Sequence, residues 1–166
     1  MKGEPMIPAK RKAAVWGATL AVLAGWAAGA QAEETPPVQV RVLGIRATNE
    51  QTPHVDAELE PLKASLARFG YNSFRVAAKA RRPVPAGQTT EVALIEDYAL
   101  RITVGGADEE NVTLTLTWVR YEKDAEGRRA ARVLQRVPMT LRKGKFFVCG
   151  GWQLKEGALV AAVSAE

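Results

Sequence analysis

The sequence predicts an α+β fold, mostly antiparallel β-sheet or sandwich, with one helix near its start in a strand-helix-strand unit. Three patterns carry this expectation. Val112, Leu114, Leu116 and Trp118 alternate with Thr113, Thr115 and Thr117, the period-2 signature of a strand with one buried face. Leu59, Leu62, Leu66 and Phe69 recur at three- and four-residue spacing, which places them on one helical stripe. Beyond Tyr71, short alternating runs follow one another through turns rich in Gly, Pro and Asp, as antiparallel strands require.

In chain order, Val38, Val40 and Val42 open the first strand. The apolar phase then shifts to Leu43, Ile45 and Ala47 around Gly44, which implies a bulge or a strand buried on both faces. Asn49 to Pro53 is a turn, and Asp56 is placed to cap the helix. Pro61 is comfortable only in a first turn, so the regular helix is expected to begin near Glu60, with Gly70 closing it in a left-handed conformation. The strands flanking the helix are open to a parallel arrangement.

Phe74, Val76 and Ala78 begin the next strand, and 81–87 reads as a proline-rich loop. Val92 and Leu94 lead to a tight connection at Glu96-Asp97. Tyr98, Leu100, Ile102 and Val104 then alternate up to Gly105-Gly106. After the threonine-rich strand, Ala131, Val133, Gln135 and Val137 alternate with Arg132, Leu134 and Arg136, and Pro138 interrupts. Phe146 to Cys149 forms another strand, a glycine-bracketed loop carries Trp152, and Ala158 to Val163 closes the chain as a buried strand.

Residues 1–32 read as a cleavable secretory signal. Lys10, Arg11 and Lys12 precede an uncharged run from Ala13 to Gly29, and Ala30-Gln31-Ala32 then offers small residues where a signal peptidase reads, before Glu33. The run is short and glycine-rich for a permanent span. Residues 33–37 are a flexible lead-in and 38–166 a single domain. The expected route is the general secretory one, into the periplasm or the medium: no cysteine follows the run for lipid attachment, and no arginine pair marks a twin-arginine signal.

The whole chain carries 23 Lys and Arg against 18 Asp and Glu. Cleavage removes Lys2, Lys10, Arg11, Lys12 and Glu4, leaving 19 against 17 and a net charge of +2. That balance argues against nucleic-acid binding on charge alone. The sole cysteine, Cys149, cannot staple the domain, so packing must stabilise it.

No motif of catalysis or metal binding stands out. His54-x-Asp56-x-Glu58 lacks the further ligands of a zinc site. The serines lie in no nucleophile elbow. Gly150-Gly151 lacks the Lys-Ser/Thr ending of a phosphate loop. No cofactor is expected. The basic residues Arg128, Arg129, Arg132, Arg136, Arg142, Lys143 and Lys145 fall on neighbouring strand arms, with Arg132 and Arg136 expected on one face flanking Leu134. They point either to protection of a sheet edge by charge or to a site for an anionic partner. Trp152 joins them as a binding candidate.

The Asp56-x-x-Leu59-x-x-Leu62 start, the Phe69-Gly70-Tyr71 end and the terminal Gly150-Gly151-x5-Gly157-x-Leu159 resemble small exported bacterial proteins without a known activity. The resemblance implies a single exported domain and carries no catalytic residues with it. The leading expectation is a non-catalytic interaction domain of the cell envelope, binding an envelope protein or anionic polymer. The alternatives are a small periplasmic hydrolase using loop carboxylates (Asp108-Glu109-Glu110, Glu96-Asp97) or Cys149 with His54, and a carrier for a small apolar ligand.

Overall fold

The computed structural model describes residues 35–166. Eight strands form two four-stranded antiparallel sheets: β1 (Val38–Thr48), β2 (Ser73–Val84), β3 (Thr89–Ala93), β4 (Tyr98–Ala107), β5 (Asn111–Lys123), β6 (Arg129–Arg142), β7 (Phe146–Gln153) and β8 (Ala158–Ala165). The first sheet has the order β2-β1-β8-β7 and the second β3-β4-β5-β6. The second sheet is a plain meander. The first joins the two ends of the domain, with Gln39 and Glu166 exchanging backbone hydrogen bonds of 2.9 and 3.0 Å.

The sheets bury their facing sides against one another. Val38, Val40 and Val42 of β1 and Leu159, Ala161 and Val163 of β8 meet Leu100, Ile102, Leu114, Leu116 and Trp118 of the second sheet. The phase change in β1 has a simple cause: the strand is central and buried on both sides. Leu43, Ile45 and Ala47 face outward to a second apolar cluster, and the register against β2 shifts between Gly44 and Ile45. β8 is buried along its whole length for the same reason.

That second cluster is roofed by the helical segment, so the first sheet is covered on both faces. A 3₁₀ turn at Ala57–Leu62 leads into a short α1 (Lys63–Ala67), and Gly70 closes the segment at φ 76°. Leu59 and Leu66 are fully buried, with Leu62 nearly so. Burying three leucines is worth about 1.5–3 kcal/mol each before ordering costs.

Asp56 does not cap this segment through its side chain. Its carboxylate Oδ2 instead accepts the Val76 N–H of β2 at 2.7 Å. A capping carboxylate and an edge-strand acceptor need the same lone pairs, and the unpaired edge of β2 takes them.

β1 and β2 pair antiparallel; among the described residues the one parallel pairing is the isolated Val55–Phe74 bridge. The segment between them is too short in helix to serve as a crossover and simply lies back over its own sheet.

Three breaks expected from the sequence are absorbed into strands. β2 runs through Arg81, Arg82 and Pro83, and β6 runs through Pro138. Both are edge strands, where a missing N–H costs no ladder bond if it faces outward. Gly105 sits in a register shift inside β4 rather than ending it.

Candidate functional site

β6 carries most of the basic candidates and spans 14 residues, roughly 45 Å of extended chain. They therefore do not form one patch. Arg128, in the turn before β6, is held by Asp124 and Glu126 at 2.9 and 3.2 Å. Arg129 lies over the Tyr121 ring at 3.9 Å. Arg132 reaches Glu122 at 3.7 Å. Arg142 pairs in register with Asn111 at the far end, and Lys143 and Lys145 follow in the next turn.

Arg132 and Arg136 do not share a face. Arg136 lies opposite Thr117, and Arg132 lies opposite Arg120. Against β4, Thr117 and Arg120 keep strict alternation and so point to opposite sides of the sheet. The difference is a bulge: Gln135 pairs with Trp118 and Val133 with Val119, so Leu134 is the extra residue. Leu134 packs toward the core and turns Val133 outward, where it is 51% exposed.

Arg136 stands instead on the outer face of the second sheet, which no helix covers. Four side chains line a shallow depression there of about 350 Å3: Thr103 of β4, Thr115 and Thr117 of β5, and Arg136 of β6. The strand register builds it. Arg101, Thr117 and Arg136 are successive cross-strand neighbours, and Thr89, Thr103 and Thr115 form the row beside them. The hydroxyls of Thr89 and Thr103 are 2.6 Å apart. Thr117 is only 7% exposed yet polar.

The two arginines in this row differ. Arg101 donates to Glu91, whose second oxygen accepts the Tyr121 hydroxyl. Burial works to raise the Glu91 carboxyl, but Tyr121 and Arg101 outweigh it and hold the group below its ordinary value. Arg136, among the described residues, has no carboxylate within ion-pair reach, whereas Arg101, Arg120, Arg128 and Arg132 each have one.

These threonines were not among the residues singled out from sequence. Their alternation signalled a strand, and nothing local says that Thr103 on another strand and Arg136 on a third will stand beside them.

The remaining candidates are dispersed or engaged. His54 Nε2 and Asp56 Oδ1 are 2.8 Å apart, and Glu58 is taken by Arg41 and Lys79. Among the described residues no group of His, Cys, Asp and Glu is arranged to hold a metal ion.

Cys149 lies on β7 facing the space between the sheets, and His54 lies outside β2. With β1 and β8 between them, they are separated by roughly 14 Å or more. Burial pushes the Cys149 thiol up to about 11, against opposing influences from the Trp118 indole and Arg68. The geometry does not assemble a thiol–imidazole pair.

The loop carboxylates fare likewise. Glu96-Asp97 precede the 10-residue β4 and Asp108-Glu109-Glu110 follow it, so the two acidic turns stand at opposite ends of the sheet. Asp108 is occupied by the backbone N–H groups of Glu110 and Asn111.

Trp152 belongs to β7 rather than to a loop. The register shift between Gly150 and Trp152 turns it toward the interior, where its ring lies 5.9 Å from that of Trp118. The space expected of an apolar carrier is filled at this point by Trp118, Leu116 and Leu159.

The residues of the expected cleavage site, Ala30, Ala32 and Glu33, lie outside the described residues. Among the described residues no helix is long and apolar enough to cross a membrane. Compared with protein-family models, curated proteins and solved structures, the chain matches none.

Proposed function

We propose that this chain is an exported, non-catalytic binding domain of the bacterial cell envelope, delivered by the general secretory route and engaging an anionic envelope component. The observation that carries the reading is the asymmetry of the two outer faces. One is sealed by the helical segment, and the other is hydroxyl-rich and carries at Arg136 a guanidinium with no carboxylate partner among the described residues. The leader-like pattern of residues 1–32 supplies the compartment. The separation of His54 from Cys149, and of the two acidic turns, favours binding over hydrolysis.

Fractionation of cells expressing the full chain, followed by crosslinking in place, tests the reading. Recovery of a shortened form beginning at Glu33, crosslinked to envelope material, supports it. Full-length chain free in the cytosol overturns it.

A further inference from the structure

We infer that Arg136, with the hydroxyls of Thr103, Thr115 and Thr117, forms a subsite for the acidic group of an envelope polysaccharide laid across the outer face of the second sheet. The inference rests on the binding reading above and adds its ligand class and its site.

The lining decides the chemistry. All four side chains that bound the depression are hydrogen-bonding, and one, Arg136, is a cation without a counter-ion among the described residues. A guanidinium presents a planar fork of donors that fits an oxyanion, and neutral hydroxyls both donate and accept, as sugar hydroxyls require. Arg101, on the other side of Thr117, adds a second guanidinium already oriented by Glu91. The depression is open and shallow, so it suits one acidic unit of an extended chain rather than an enclosed small molecule.

Other anions fit less well. Single-stranded nucleic acid wants exposed aromatic faces. On this face Tyr121 is already capped by Arg129 at 3.9 Å. A membrane surface wants apolar residues to insert beside the basic ones. Among the described residues Val133 is the one large hydrophobic side chain that is exposed. Addition of a peptide strand at β6 is opposed by Pro138 and by the bulge at Leu134.

The test uses trigalacturonate as probe, with its fully methyl-esterified form, inorganic phosphate and anionic phosphatidylglycerol vesicles as the other arms. The full chain, purified in its folded form, is titrated by NMR or calorimetry at low salt. The acidic trimer is expected to bind, phosphate to compete with it, and esterification to weaken binding about tenfold or more. R136Q is expected to lose about tenfold and T117V several-fold, while R82Q, on β2 of the other sheet, stays within about twofold. Urea midpoints matching wild type confirm that these variants fold.

Equal binding of the esterified trimer, unchanged binding by R136Q, or Arg136-dependent binding to vesicles with none to the trimer overturns the inference. If crosslinking in cells still captures envelope material when R136Q behaves as wild type in the titration, the binding reading stands and this subsite falls.

Discussion

Trp118 and Trp152 meet between the sheets with ring centroids 5.9 Å apart and planes tilted by 57°. The contact ties the middle of one sheet to the edge strand of the other, because β5 is internal to its sheet and β7 is terminal in its own. Among the described residues neither buried indole N–H makes a hydrogen bond of good geometry, and the Trp118 donor lies toward the Cys149 sulfur.

That pair shapes the first prediction. W118A removes a side chain with 0% exposure and is expected to cost about 3–5 kcal/mol in urea unfolding. W118F is expected to cost distinctly less, about 1–2 kcal/mol, since it keeps an aromatic ring and removes a donor whose only neighbour of note is the weakly accepting Cys149 sulfur. A double-mutant cycle with W152F should return a coupling of about 0.5–1.5 kcal/mol. Additive behaviour would mean the rings do not interact in solution.

Gly157 supports a second prediction. Its φ is +78°, and a Cβ there would run into the Ala47 carbonyl oxygen of β1. G157A therefore meets both backbone strain and a clash with backbone that cannot swing aside. A loss of about 2–4 kcal/mol is expected, read as a lowered urea midpoint with unchanged slope. Gly127, also left-handed at φ 78° but with open space around it, is the control. G127A should cost about 1 kcal/mol.

The threonine–leucine alternation of β5 and the leucine stripe at 59–66 were legible because each is a local periodicity that burial enforces. The two-sided burial of β1 was legible for the same reason, in the phase shift at Gly44. The bulge at Leu134 was not. Residues 131–137 alternate well enough to read as one regular strand, and only pairing with β5 shows the slip that sends Arg132 and Arg136 apart. The proline-bearing stretches at Pro83 and Pro138 read as breaks in the sequence because their harmlessness depends on lying at a sheet edge, a property of the assembled fold. The depression at Arg136 draws on β4, β5 and β6 at once, so no sequence window contains it.

Asp56 contributes to the acid limb of the stability curve, together with Glu50, Glu58, Glu91 and Asp108, which are also held below their ordinary values. Its hydrogen bond from the Val76 backbone, followed by that with His54, holds the carboxyl below its ordinary 3.8. A carboxylate depressed in the folded state stabilises above the unfolded value, and the contribution fades as pH falls through the folded one. D56N is expected to be less stable than wild type at pH 7, by about 1 kcal/mol. The difference should shrink below pH 3.8 as wild-type Asp56 is protonated. Urea unfolding of both proteins from pH 7 to pH 2 measures this. A gap that persists undiminished at pH 2 would assign the loss to packing instead of charge.

Cys149 sets the alkaline limb. Burial lifts its thiol from 9.0 to about 11, so the native protein holds a proton that the unfolded chain releases. The stabilisation is complete below pH 9.0 and is lost as pH climbs toward 11. C149A should show a flatter decline across that window, since alanine has nothing to ionise. Reactivity follows from the same shift. With the thiol lifted from 9.0 to about 11, the native thiolate population at pH 8 is expected to fall about a hundredfold below that of the unfolded chain, and burial restricts access further. Native protein at pH 8 is therefore expected to react with a disulfide reagent at least about a hundredfold more slowly than protein in urea. Labelling at comparable rates in the two states would show that β7 opens readily. Because Trp152 stands beside Cys149 on the inward face of β7, W152A loosens the packing there and is expected to raise the native rate toward the unfolded one.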